Sequence, residues 1–195
     1  MHGVHILGFA GSLREASFNR AALRAAQERL PPDVKLDAFD IGQLPLYNQD
    51  TEQRPPPAVQ QLKAQIRRAD AILFATPEYN YSVPGVLKNA IDWASRPYGD
   101  SAWDGKPCAI MSASIGMLGG ARAQYHLRQM LVFLNMFPLN QPEVMIPDAA
   151  GKVDAQGRLA DETSREKIRE LVQALVAWTH RLRGEAAPNL AAAAS

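Results

Sequence analysis

At 195 residues, with 47% hydrophobic and 21% charged residues and a formal net charge of +1, the chain has the length and composition of one globular domain with a full-sized core. The near-neutral charge gives no whole-chain reason to expect nucleic acid or an anionic membrane as partner, and no apolar stretch approaches the roughly 20 residues that span a bilayer. The single cysteine, Cys108, excludes a disulfide within the chain and a cysteine-cluster metal site.

The start, MHGVHILGFAGS, has no charged leader before a cleavage site, so it reads as a first strand near 4–9 rather than a signal peptide, and a cytoplasmic location is expected. A helix is expected near 17–30, with Leu23, Ala26 and Leu30 on one stripe, and Pro31–Pro32 ends it. A strand near 34–39 follows, then Pro55–Pro57 at the start of a helix near 57–68, then a strand near 71–76. Further on the pattern predicts a helix near 84–95, a strand near 107–113, a helix near 119–136, a strand near 143–147 and a helix near 161–183. The last helix carries Ile168, Leu171, Leu175 and Trp178 on one stripe. Residues 1–184 are expected to form one domain, and the Ala-rich tail 185–195 to fray.

Strict alternation of strand and helix over five strands implies a parallel sheet covered on both faces. The doubly wound order 2-1-3-4-5 suits this size and places ligands outside the carboxyl ends of strands 1 and 3.

The first of those ends reads GSLREASFN, Gly11 to Asn19. A helix N-terminus offers free N–H groups and the positive end of its dipole. Ser12 and Ser17 add hydroxyls, Asn19 an amide and Arg14 a charged fork, which together suit a phosphate dianion. The spacing departs from both the Walker A and the Rossmann glycine patterns, and so suits a terminal monophosphate better than a buried pyrophosphate. The alternative is that Ser17 only caps the helix while Arg14 is solvated.

The second end reads ATPEYNYSVPG. Thr76-Pro77 ends the strand, because proline cannot donate to a central ladder, and Glu78, Tyr79, Asn80, Tyr81 and Ser82 crowd aromatic and hydrogen-bonding groups into one loop. A flat heteroaromatic ring with polar edges would use them; packing on a neighbouring helix or subunit is the alternative. After strand 4, the loop Ser112 to Gly120 holds three glycines in its last five residues, which lets backbone approach a ligand or else only makes a loose turn; Ser114 and Gly116 are its candidate contacts. Phosphate at one turn and a polar-edged ring at the other together suggest flavin mononucleotide (FMN).

Two motifs then match a known family. G-S-L-R-x-x-S-x-N at Gly11–Asn19 and P-E-Y-N-x-S-x-P-G-x-L-K-N-A-I-D-W at Pro77–Trp93 resemble the NADPH-dependent FMN reductase family, which includes bacterial chromate and quinone reductases. The resemblance implies a flavodoxin-like three-layer α/β/α sandwich holding FMN. It implies reduction by NADPH or NADH and transfer to a small-molecule acceptor: a quinone, an azo compound, chromate or free flavin. By position it gives Ser12, Arg14, Ser17, Phe18 and Asn19 to the phosphate, Pro77 to Ser82 to the ring and ribityl chain, and Ser114 to the rest of the pocket. It also points to a homodimer or homotetramer.

Flavin carries the hydride chemistry, so no catalytic acid or base is assigned to the chain, and His2, His5 and His180 have no metal-ligand spacing. With no separate dinucleotide domain, nicotinamide and acceptor are expected to share one flavin face in ping-pong order. His126 reads as a surface or interface residue and Cys108 as buried and inert. Arg122, Tyr125 and Arg128 form a stripe read as partner-facing, with a solvated face as the alternative; Leu127, Met130, Leu131 and Leu134 lie beside it, and Tyr81 is expected near a partner's pocket. Two other functions fit the same cofactor: a flavodoxin-type electron carrier, and a reductase supplying free reduced flavin to a monooxygenase. The near-neutral charge speaks against the carrier.

Overall fold

The computed structural model describes residues 3–185, so the tail expected to fray lies, apart from Glu185, outside the described residues. Glu185 itself is held, its carboxylate 2.7 Å from His180 Nδ1 and its N–H on the His180 carbonyl. The chain runs β1 (Val4–Ala10), α1 (Phe18–Glu28), β2 (Val34–Phe39), α2 (Pro57–Arg68), β3 (Ala71–Thr76), α3 (Gly85–Ala94), β4 (Pro107–Ala113), α4 (Ala121–Phe133), β5 (Phe137–Pro138), β6 (Val144–Ile146) and α5 (Glu162–Leu182). All pairings in the sheet are parallel and the order is β2-β1-β3-β4-β5, as expected.

The fifth position is divided. β5 pairs with the start of β4 (Pro107, Cys108) and β6 with its end (Met111 to Ala113), so the expected strand 143–147 supplies only the second half. Pro138 and Pro142 have no N–H to donate, and a continuous strand cannot run through both. The helix expected from 119 begins at Ala121, because Gly119 and Gly120 sit at φ 59° and 91°. A Cβ on Gly120 would come within 2.8 Å of Ser112 Cβ, so the turn into α4 is closed to larger residues.

Every residue of β3 and β4 is buried, which explains their largely apolar runs, whereas the edge strand β2 buries only Leu36 and Phe39. The two faces of the sheet differ in kind. Leu7, Phe9, Ile72, Phe74, Cys108 and Ile110 face α2, α3 and α4, with Phe9, Phe74 and Trp103 ring centroids 5.6–5.8 Å apart. The alternate residues Ile6, Ala71, Leu73, Ala75, Ala109 and Met111 face α1 and α5. On this face α1 lies so close that a Cβ on Gly8 would meet Leu23 at 2.7 Å. Burial pushes the Cys108 thiol well above its ordinary pKa, so it is the unreactive core residue expected. Among the described residues no helix is long and apolar enough to cross a membrane.

Candidate functional site

The carboxyl ends of β1, β3 and β4 open on one side of the sheet, and the three turns that follow them meet there. Gly11 N–H donates to the Ala75 carbonyl at 2.8 Å, and a Cβ on Gly11 would crowd Pro77 Cδ and Thr76 Oγ1 at 3.2 Å. Only glycine lets the first turn lie this close against the third.

The first turn is built as a capped helix start. Ser17 Oγ accepts from Arg20 N–H at 3.3 Å, and Ser12 Oγ is 3.4 Å from Arg14 N. Arg14 is exposed, with its guanidinium carbon 4.9 Å from the Phe18 ring centroid. Asn19 is the second residue of α1. It is buried, and its amide brackets the end of β4: Nδ2 donates to the Ala113 carbonyl at 2.8 Å and Oδ1 accepts from the Ala113 N–H at 2.9 Å. The residue stitches the first turn to the last.

The loop after β3 is a two-residue hairpin. Tyr79 N–H donates to the Ser82 carbonyl at 3.0 Å and Ser82 N–H to the Tyr79 carbonyl at 2.9 Å, around Asn80 and Tyr81 at φ 49° and 66°. Two successive left-handed residues make this a type I′-like turn, a strained place for tyrosine. The hairpin consumes the Tyr79 and Ser82 amides and leaves those of Asn80 and Tyr81 without a described backbone acceptor.

α4 holds this hairpin from outside. The Glu78 carboxylate accepts from Arg122 Nε at 2.5 Å and from the Ala123 N–H at 3.2 Å, so it also caps the N-terminus of α4. The Arg122 guanidinium carbon lies 3.6 Å from the Tyr81 ring centroid, and His126 Nδ1 lies 3.0 Å from Ser82 Oγ. The stripe read as partner-facing is therefore engaged within the chain. Arg122 neutralises Glu78, Tyr125 donates to Glu143 at 3.1 Å, and Arg128 donates to the Leu139 carbonyl at 3.0 Å. Leu127, Leu131 and Leu134 belong to the chain's own core, and Met130 packs against it. The helical period turns them toward β4, not outward.

A cavity of about 250 Å³ lies where the three turns meet. Ser12, Arg14, Ser17, Phe18, Asn19, Pro77, Glu78, Tyr79 and Ser114 line it, together with Ala113 and Ile115. A second cavity of about 320 Å³ adjoins it, sharing Glu78 and Ser114, and is walled by Gly116 to Gly120 and Arg122. Asn80, Tyr81 and Ser82 lie on the hairpin beside the first cavity, not in its wall. The donor set suits an elongated ligand, anionic at one end and flat at the other: hydroxyls, a guanidinium and a helix start at the first turn, and backbone, glycines and apolar side chains at the others. Arg122 and His126 were missed as site residues. The signal that could have found Arg122 was Glu78, a loop carboxylate whose burial demands a cation. Among the described residues there is no cluster of metal-ligating side chains.

The NADPH-dependent FMN reductase family matches residues 4–151. An NAD(P)H-dependent FMN reductase of Pseudomonas aeruginosa is 57% identical over 182 residues, 93% of this chain and 98% of that protein. A quinone reductase of Pseudomonas putida is 49% identical over 169 residues, covering 86% and 90% of the two chains. Among solved structures, a flavoenzyme NAD(P)H:(acceptor) oxidoreductase of Paracoccus denitrificans superposes with a TM-score of 0.84 at 37% identity, covering 91% of this chain and 98% of its own.

Proposed function

The chain belongs to the NADPH-dependent FMN reductase family, and from that membership and the three-turn crevice we propose that it passes electrons from NAD(P)H to quinones in ping-pong order. It is an NAD(P)H-dependent oxidoreductase with FMN as cofactor. The observation that carries the proposal is one cavity walled by the serine–arginine turn, the hairpin residues Glu78 and Tyr79, and Ser114. FMN supplies the hydride chemistry when bound, and the chain supplies position and field. Ser12, Ser17 and Arg14 would hold the phosphate, with Phe18 bracing the guanidinium; Pro77, Tyr79, Ser114 and Gly116 would border the flavin. The free amides of Asn80 and Tyr81 would steady negative charge at the ring edge. Glu78 is committed to Arg122 and Ala123, so it is a positioning residue and not a base.

One open crevice must serve donor and acceptor in turn, which supports the ping-pong order. Chromate and azo compounds are further acceptors within the same proposal, because an open site selects loosely. Anaerobic titration of the FMN-loaded protein should bleach its visible spectrum on addition of NADPH or NADH, and a quinone should restore it. No bleaching with either nicotinamide would overturn the reading. Heat release followed by chromatography should yield FMN; FAD as the dominant flavin would contradict a turn built for a terminal phosphate.

A homodimer or homotetramer forms part of the proposal, since association would cover an open crevice. The support on α4 is now its last turn, where Val132 and Phe133 are 78% and 72% exposed, and not the Arg122 stripe. Light scattering should give a multiple of 21.4 kDa, and Val132→Glu with Phe133→Glu should lower it; the monomer mass for the unaltered protein would refute assembly. Arg122→Glu is expected instead to disturb the hairpin, by setting two carboxylates against each other.

A further inference from the structure

A separate groove of about 270 Å³ runs between α1 and the carboxyl end of β2, on the far side of the serine–arginine turn from the hairpin. Phe39 and Ile41 form part of its apolar wall, and Arg20, Arg24, Gln27 and Asp40 its polar one. The two arginines stand four residues apart on α1 and so point along one face. Their described partners use few of their donors. Arg20 Nε donates to the Ser12 carbonyl at 3.2 Å, with Asp40 Oδ1 3.9 Å from its Nη2, and Arg24 Nη2 donates to the Gly157 carbonyl at 2.6 Å. Each guanidinium has five N–H groups. Two cations against one carboxylate leave the groove selective for an anion, and the apolar wall gives a flat ring somewhere to lie.

We infer that this groove takes the adenosine 2′-phosphate end of NADPH, with Arg20 and Arg24 reading the phosphate and Asp40 the ribose. The inference rests on the NAD(P)H dependence set out above. Its place supports it. The turn after β1 is left to the FMN phosphate, so a second phosphate-bearing cosubstrate needs a cation site of its own close by, and the two arginines supply one. Here Asp40 follows the last residue of β2 directly, and Arg20 touches both the groove and the backbone of the phosphate turn. The groove's volume suits one nucleotide, not a whole dinucleotide, so the nicotinamide is left for the flavin crevice next door.

Calorimetric titration of the FMN-loaded protein with 2′,5′-ADP and with 5′-ADP tests this. The first should bind more tightly than the second. Arg24→Gln keeps a donor for the Gly157 carbonyl while removing the charge, and it should weaken 2′,5′-ADP by about tenfold or more. The same variant should raise the KM for NADPH far more than that for NADH. Should Arg24→Gln prove poorly folded by its melting curve, Arg24→Lys, which keeps the charge, should retain most of the 2′,5′-ADP affinity. Equal binding of the two nucleotides, or 2′,5′-ADP affinity unmoved by Arg24→Gln, would overturn the inference. Heat is read independently of flavin reduction. A protein that NADPH fails to reduce, which would end the enzymatic reading, is thus told apart from one whose groove ignores 2′,5′-ADP.

Discussion

Asn19→Ala should lower the stability of the protein by about 2–4 kcal/mol, because it leaves two buried backbone groups without partners. The amide of Asn19 satisfies both the N–H and the carbonyl of Ala113, at 2.9 and 2.8 Å, in a position closed to water. Neither group can turn elsewhere, since Ala113 is the last residue of β4 and its backbone is fixed by the pairing with Ile146. Urea denaturation should show the loss as a lower midpoint with an unchanged slope. Asn19→Asp should not rescue it: the carboxylate can accept from the Ala113 N–H but sets a negative oxygen against the Ala113 carbonyl. A midpoint shifted by less than about 0.5 kcal/mol would mean that solvent enters and replaces the amide. FMN affinity should fall with stability in this variant, as the first turn loses its tie to the last.

Arg14→Ala should do the reverse, weakening FMN by about 1.5–3 kcal/mol, roughly ten- to hundredfold in Kd, while leaving the melting temperature of the flavin-free protein unchanged. The side chain is exposed, rests on Phe18 and contributes little to the core, so its removal costs the fold almost nothing. A flavin fluorescence titration measures the loss. Unchanged affinity would show that Arg14 is merely solvated and that the serines and helix start hold the phosphate alone. Together the two variants separate a residue that builds the turn from one that uses it.

Much of this was legible in the sequence where one physical rule dominated. Strands buried on both faces must be apolar throughout, so β3 and β4 stood out; the alternation of strand and helix then dictated a parallel sheet and the place of the crevice. Cavity residues Ser12, Arg14, Ser17, Tyr79 and Ser114 could be found because turns at those strand ends have nowhere else to point. Legibility failed where a residue's role depends on a distant partner. Nothing near Asn19 announces Ala113, 94 positions away, and nothing near Arg122 announces Glu78. The stripe on α4 gave no hint of its ties within the chain, because periodicity says which residues share a side and not what lies against it. The split of the fifth position was hidden for a related reason: β5 is two residues long, too short for any pattern, and exists only because β4 offers it an edge.

The hairpin from Tyr79 to Ser82 is gripped entirely by α4, from behind, through Arg122, Ala123 and His126. Its shape is thus complete before a flavin arrives. Binding need not freeze a wandering loop, and the entropic toll that a disordered clamp would levy at each encounter is absent. Association should then be limited by diffusion and orientation, with no slow isomerisation step following capture, and differences in affinity among site variants should appear in how fast the cofactor leaves.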